Sequence, residues 1–494
     1  MDGAPVYAVS FVQKANALVF ASHNLDVCRR WCNKGLWLQQ GQVQAFGAIS
    51  DVIEDYQAAA IWGALDRGSV VGFTFGDVQM NSGKPGYKRI DRCRISNSQN
   101  LVSVLDLGHQ QLTGVFPKHR DENLTSGPLE LVWCPDSGLL QLAHSFEAQE
   151  MYGENYGYRS GLNQSMVDHL TRKIGQLSRR ADIKPGDTVL DIGSNDCTSL
   201  KAYPVAGLTR IGIDPTGQKF QSYYPDDVKL VPDFFSARAF RGVTQTPARI
   251  VTSIAMFYDL EDPVAFAHEV ESILAPDGLW HFEQSYMPSM LRMTSYDTIC
   301  HEHLEFYSLS VIKRILDAAE LKIVDVQMNA INGGSFAVTA AKRKSAIKAN
   351  DAVTHWLLEQ EERMGLHTPR PYREFEDRVF RHREDLRRLL QSLVADGKRI
   401  VGYGASTKGN VVLQFCGITE KEVCAIAEVN PDKFGAFTPG TRIPIISEAE
   451  ARAMKPDYFL VLPWHFKEGI LKREQAFLDG GGKIILPFPE IEII

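Results

Sequence analysis

The chain has 494 residues, 44% apolar and 23% charged, the make-up of a packed globular protein rather than a disordered one. At roughly 150 residues per domain it has room for about three domains, each able to bury a core. Its 53 basic and 60 acidic residues leave a net charge of −7, and this diffuse acidity argues against nucleic acid or an anionic membrane as the main partner. No apolar run approaches the ~20 residues that span a bilayer. Lys14 interrupts the apolar start, which makes a poor signal peptide. Eight cysteines are too sparse for a disulfide scaffold, so a cytoplasmic setting is expected.

Residues 1–60 read as a separate piece. ALVFASHN looks like a buried strand ending at Ser22-His23-Asn24, followed by a helix carrying Cys28, Trp31 and Cys32. KGLWLQQGQVQAFG alternates like a hairpin with a Gln-Gly turn, and DVIEDYQAA closes as a helix. This order resembles the last stretch of an ATP-binding-cassette ATPase of the polysaccharide-export type, with His23 at the position of the switch histidine. The chain holds no G-x-x-x-x-G-K-[ST] loop, so ATP chemistry is not expected, and the segment reads as a fusion remnant or a mis-set start. Residues 61–90 are rich in glycine and turn formers and read as a linker or short β piece. Residues 91–150 form a small unit containing Cys93 and Cys134.

Residues 151–342 alternate strand and helix patterns, with strands expected at TVLDIG, RIGID, KLV, RIVTSIAMF, LWHFEQ, KIVDVQ and SFAVTAAK. That alternation predicts a parallel sheet covered on both faces. Residues 343–396 read as a helical connector, in which Phe375, Val379, Leu386, Leu389, Leu390 and Leu393 keep one apolar face. Residues 397–494 begin a second α/β unit with KRIVGYGASTKGN and continue with strands at VCAIAEV, DYFLVLP and GKIILP.

The strongest chemical signal is VLDIGSNDCTSLK, residues 189–201. An apolar strand reaches Asp191, then Gly193, which lets a ligand approach the backbone, then a polar turn and the free N–H groups of a helix start. The next strand ends at Asp214, placed to bind both hydroxyls of a ribose. A third leads to Asp233-Phe234, suited to an adenine amino group and ring face. A dinucleotide loop would need G-x-G-x-x-G; here the loop is Gly193-Ser194-Asn195-Asp196, with one glycine and an extra acid, Asp196. A carboxylate there repels a pyrophosphate and suits the charged amino group of a methionine moiety, so S-adenosylmethionine fits better than NAD.

Several further strings resemble those of the sugar C-methyltransferases that act on nucleotide-linked 4-keto deoxysugars: LDLGHQQLTGVF, EMYGENYGYRSGLNQSMVDHL, MFYDLEDP, EQSYMP, YDTICHEHLEFYSL, NGGSFAV and GYGASTKGN, beside the cofactor loop. The resemblance covers about residues 91–494. It implies an α/β protein with a Rossmann-like class I methyltransferase core, a small zinc-binding-like N-terminal domain and a second, Rossmann-like C-terminal α/β domain contacting the nucleotide sugar. It also adds Met256 to the cofactor set. Methylating carbon needs a carbanion-like nucleophile, hence a base to take a proton beside a ketone and a donor for the enolate oxygen. The resemblance makes His303 that base with Glu302 as its pair, and makes Tyr156 and Tyr158 phenols that cover the methyl donor and reach the sugar. It puts Tyr296, His301, Asn332, Gly333, Gly334 and Ser335 at the sugar, and Gly404, Lys408 and Asn410 at the nucleotide sugar, where a glycine-rich turn and a lysine suit an anion. The string is not H-E-x-x-H, which argues against a protease-type metal site.

The chain departs from the family at the zinc ligands. The family's two C-x-x-C pairs read here Cys93-Arg94-Ile95-Ser96 and Cys134-Pro135-Asp136-Ser137. Serine stays protonated and is a poor zinc ligand, and no spacing requires His109, His119 or Asp136 to substitute, so no zinc is expected. The reading is thus a C-methyltransferase using S-adenosylmethionine on a nucleotide-linked keto-sugar, with no nucleic-acid or membrane partner, in association with polysaccharide-export or sugar-biosynthesis enzymes. The rivals are a sugar O-methyltransferase on the same core and a non-enzymatic accessory of an exporter.

Overall fold

The computed structural model describes residues 86–494, except 148–150 and 152–158, together with the backbone of four strands before residue 86. The chain divides into two compact units, Met1–Pro85 and Gly86–Ile494. In the first, Lys34–Gln39 and Gln42–Ala48 pair antiparallel across Gln40-Gly41, the hairpin the alternation predicts. Ser69–Thr74 pairs with both Val19–Ala21 and Lys34–Gln39, so the stretch read as a linker or short β piece is a strand inside this sheet. The two helices expected here lie outside the described residues.

The second unit is built on a seven-stranded sheet in the order Val228–Val231, Thr209–Ile213, Thr188–Ile192, Ala248–Ile254, Leu274–Ser285, Ser335–Lys342, Leu321–Asn329. Alternate side chains of its strands feed two different cores. Leu190, Ile192, Ile211 and Ile213 pack with the helices Pro263–Ile273 and Leu309–Ala318. Val189, Ile250 and Leu279 pack with Ile174 and Leu177 of the helix Gln164–Arg180. A sheet buried on both faces needs strands that are apolar throughout, and Thr188–Ile192 is buried at every position. The first five strands run parallel. Ser335–Lys342 corrects the expected all-parallel sheet: it pairs antiparallel with both neighbours, because only the short turn at 330–334 joins it to the preceding strand and a parallel crossover needs a dozen residues or more.

The helical connector is two helices, Asp351–Met364 and Arg370–Ala395. Phe375, Val379, Leu386 and Leu390 are fully buried, with Leu389 and Leu393 at the margin of the same core, as their spacing predicts. The C-terminal sheet has the order Ile445–Ser447, Ile426–Glu428, Ile400–Tyr403, Tyr458–Val461, Lys483–Leu486, Glu492–Ile493, parallel except for the last strand. A four-stranded sheet precedes the core, running Glu305–Phe306, Leu140–Leu142, Ser126–Trp133, Val102–Gln111. Its edge strand comes from far along the sequence, directly after the His301-Glu302-His303 string. Among the described residues no helix is long and apolar enough to cross a membrane.

The strand Tyr87–Arg89 pairs with His144–Phe146, so the second unit begins at Gly86. A shortened chain starting at Gly86 is expected to fold and to keep methyl transfer, since it retains all of that unit. Loss of turnover in a truncated protein that melts cooperatively and binds the methyl donor would show that the first unit contributes to the site.

Candidate active site

Thr188–Ile192 lies between Thr209–Ile213 and Ala248–Ile254, so the chain leaves its C-terminal end where the strand order reverses, the usual ligand crevice of an open α/β sheet. Gly193 follows with φ +73°, and a Cβ there would stand 3.2 Å from Met256 Cγ. Asn195 and Cys197 take left-handed backbone as well. Asp214, 5% exposed, ties the loop down: its two oxygens accept from Asn195 N–H (2.7 Å), Thr216 N–H (2.7 Å) and the Thr216 hydroxyl (2.6 Å). A carboxylate has about four acceptor directions, so one remains for a ribose hydroxyl. Past the next strand, Asp233 is exposed, accepting from Phe234 N–H, and Phe234 offers an exposed ring.

Asp191 and Asp196 stand differently from the expected cofactor contacts. Asp191 is buried behind the loop and accepts from the Thr252 hydroxyl; burial, with Asp214 adding to it, pushes its carboxyl up to about 7. Asp196 accepts from Thr198 Oγ1 and from Gly161 N–H (2.9 Å), with Arg159 Nε at 3.9 Å, and Asn195 Oδ1 accepts from Ser160 N–H (3.0 Å). These two side chains fasten residues 159–161 over the loop. Tyr156 and Tyr158, just before that fastening, lie outside the described residues.

Met256 lies against Gly193 of the loop and leads along the chain toward His303. It follows Ala255, whose φ of +55° is uncommon for a residue with a Cβ, and precedes a turn containing Tyr258. The Tyr258 ring lies 4.2 Å, centroid to centroid, from that of His303, and its carbonyl accepts from Leu304 N–H (2.8 Å). His303 Nδ1 donates to the Thr298 carbonyl at 2.8 Å. Burial, only partly opposed by that carbonyl and reinforced by Lys408, pushes the imidazole down to about 3. His303 is therefore neutral, with its hydrogen on Nδ1 and its lone pair on Nε2. Glu302 packs over Gly114; burial raises its carboxyl, against hydrogen bonds to its own backbone, Cys300 and Thr113. The bond that orients His303 is the one to the Thr298 carbonyl.

The C-terminal domain closes the other side. Lys408, half-buried near the start of the helix Thr407–Cys416, donates to the Asn332 carbonyl at 2.9 Å. Burial lowers its ammonium, opposed by Asp297 and Cys300. Trp464 Nε1 donates to Asp297 Oδ2 at 2.8 Å. The same tryptophan explains Gly333, where a Cβ would stand 2.7 Å from its ring. Asn332, Gly333 and Gly334 all have positive φ, and Gly404 turns tightly against Pro463.

Four expected substrate contacts are structural instead. Tyr296 is fully buried, its hydroxyl between His382 Nδ1 (3.1 Å) and Cys416 Sγ (3.3 Å). His301 is fully buried edge-on to Phe146, and burial pushes it down to about 4. Ser335 is buried and closes its turn on the Ile331 carbonyl (2.8 Å). Asn410 is buried and donates to the Thr113 carbonyl (2.8 Å). Tyr296, Ser335 and Asn410 each bond a protein partner, and His301 is shut off from solvent. Two residues were missed. His465 is half-buried, burial with Lys408 beside it holds it at about 3, and its Nδ1 has no hydrogen-bond partner among the described residues. Gln284 is 1% exposed with both amide atoms likewise unpartnered. An unmet buried polar group costs about 1–3 kcal/mol, which a polar ligand can recover. The Gln in EQSYMP, amid buried strand residues, was the signal available for it.

Three family models match the chain: "Putative zinc binding domain" over residues 93–152, "Methyltransferase domain" over 164–326 and "C-methyltransferase C-terminal domain" over 330–489. The C-methyltransferase NovU of Streptomyces niveus is 32% identical over 409 residues, covering 82% of this chain and 97% of NovU. The teichoic acids export ATP-binding protein TagH of Bacillus cereus is 38% identical over 48 residues, 10% of this chain and 9% of TagH. Among solved structures, an S-adenosylmethionine-dependent methyltransferase from Clostridium acetobutylicum aligns at 10% identity with a TM-score of 0.27, over 36% of this chain and 92% of its own.

The geometry of Asp214 gives a direct test of the donor site. Asp214→Ala removes a charged acceptor that also anchors the loop, so it is expected to weaken S-adenosylmethionine binding by at least about 1.5–3 kcal/mol, read by titration calorimetry. Unchanged affinity in a folded variant would remove Asp214 from the site.

Proposed function

The chain belongs to the S-adenosylmethionine-dependent C-methyltransferase family, and we propose on that premise that its methyl acceptor is a carbon next to the keto group of a nucleotide-linked deoxysugar. The observation that carries this reading is the state of His303: neutral, oriented by the Thr298 carbonyl, and joined to the cofactor loop through Tyr258, Met256 and Gly193. Bound S-adenosylmethionine supplies an electrophilic methyl group on its sulfonium. Asp214 holds its ribose and Phe234 covers its adenine. His303 Nε2 accepts the proton beside the ketone, and negative charge moves to the ketone oxygen. Lys408 supplies positive charge for the anionic part of the acceptor, with Tyr156 and Tyr158 as phenols covering the site. The product is a branched-chain sugar, made in the cytoplasm. The similarity to an export ATPase supports association with polysaccharide-export or sugar-biosynthesis enzymes.

His303→Asn is expected to lower turnover by ~10²–10⁴-fold, the usual contribution of a general base, with donor affinity nearly unchanged. Solvent deuterium washing into the acceptor next to its keto group would require His303. Near-normal turnover in the variant would reject the role. His301→Asn is the contrast: its ring is sealed against Phe146, so loss there should appear as lowered thermal stability.

The pH profile is a separate test. The base must be unprotonated, and a pKa near 3 keeps His303 so across the neutral range. kcat/KM is therefore expected to change less than about twofold between pH 8 and 5.5, whereas a histidine at ~6.5 would lose roughly tenfold. A midpoint near 6.5 that persists in a His303 variant with residual activity would move the base to another residue.

A further inference from the structure

Two short turns face each other in the small domain after Gly86. The turn Cys93–Ser96 is closed by Asn97 N–H to the Cys93 carbonyl (2.9 Å) and by Cys93 N–H to the Ser98 carbonyl (2.8 Å). The turn Cys134–Ser137 is closed in the same way, by Gly138 N–H to the Cys134 carbonyl (2.8 Å) and by Cys134 N–H to the Leu139 carbonyl (2.8 Å). The residue after each serine is left-handed, Asn97 at φ +56° and Gly138 at φ +81°. One backbone device is thus used twice, and the side chains cross between the copies. Cys93 Sγ is 3.2 Å from Ser137 Oγ, and Ser96 Oγ is 3.7 Å from Cys134 Sγ. Both thiols are buried. The four side chains come together at the positions of the family's two C-x-x-C pairs, inside the stretch matched by the model described as "Putative zinc binding domain".

The donors at those positions do not fit zinc. Structural zinc takes four thiolate or imidazole ligands, and a serine hydroxyl stays protonated and brings no charge. No neighbour makes up the set. Asp136 is exposed and accepts from the Ser98 hydroxyl and from Asn100 Nδ2 (3.0 Å). His119 is exposed, and His109, also exposed, stands edge-on to Tyr87 at 6.5 Å. Among the described residues no group of three or more His, Cys, Asp or Glu is arranged to hold a metal.

We infer that this domain folds without zinc, its paired turns held by crossed thiol–hydroxyl hydrogen bonds and by docking on the helix Leu309–Ala318. Cys93, Cys134 and Leu139 share a core with Val311 and Ile312 of that helix, and Arg314 donates to the Asp136 carbonyl (3.2 Å). The turns are therefore seated on the methyltransferase core from outside.

The test uses the full chain expressed with added zinc. Elemental analysis is expected to find less than about 0.1 zinc per chain, and a strong zinc chelator is expected to leave the melting temperature unchanged. About one zinc per chain, with a melt that drops on chelation, would overturn the inference. Ser137→Ala is expected to lower the melting temperature, and an unchanged melt would remove the hydrogen-bonded clasp. The double variant Ser96→Cys/Ser137→Cys is expected to take up about one zinc and become chelator-sensitive. A folded double variant without zinc would show that the four positions do not converge as described.

Discussion

The segment from Tyr296 to Phe306 has little regular structure of its own, and the site depends on how it is held. The connector and the C-terminal domain take one end: Tyr296 meets His382 and Cys416, and Asp297 meets Trp464. The small domain takes the other: His301 lies against Phe146, and Glu305–Phe306 completes the sheet edge beside Leu140–Leu142. The core takes the middle through Tyr258, by ring contact with His303 and by the bond from Leu304. A loop buried this deeply must satisfy its backbone internally, and three parts of the same unit supply the partners. His303 is oriented only when all three are in place.

That enclosure also sets the electrostatics. Burial is the leading cause of every large shift around the loop, and it favours the uncharged form of each group: His301, His303 and His465 are pushed down, Asp297 and Glu302 up, Lys408 down. The enclosure biases these groups toward neutrality, with His303 Nδ1, Asp297 Oδ2 and Lys408 Nζ each bonded to a protein partner. It also strengthens the interaction of any charge that forms on a ligand with Lys408, because the effective dielectric is low.

The cofactor loop was legible in the sequence because its determinants are local. One strand, one glycine and one acid at the next strand end lie within about 25 residues, and each acts through backbone geometry that the residue type itself dictates. The placement of Ser335–Lys342 was not legible: its apolar run suits a buried strand of either direction, and direction is set by the length of the turn before it. The His301-Glu302-His303 string announced chemistry, and it was the family resemblance rather than the spacing that singled out His303. The burial of Tyr296 and Asn410 was not legible either, since their partners Cys416 and Thr113 lie 120 and 297 residues away. Polar residues in a distinctive string look functional until a distant partner absorbs them.

The small domain shows how an ion can be dispensable once other contacts carry its load. In an isolated domain of this size, two turns closing on a metal would supply much of the stability. Here the domain is not isolated. Its sheet takes Glu305–Phe306 from the core, Leu142 N–H donates to the Leu304 carbonyl, and Arg94, from the first turn, donates to the Leu142 carbonyl and to Ser145 Oγ while facing Glu305 at 3.6 Å. Burial raises the Glu305 carboxyl and Arg94 opposes it, a buried pairing that removal of either partner would leave uncompensated. Arg94 and the Leu142–Leu304 bond thus join the first turn to the end of the 296–306 segment. With those contacts kept, replacing two thiols by serine costs the domain a metal, while the turn geometry and the seat of the catalytic segment are retained.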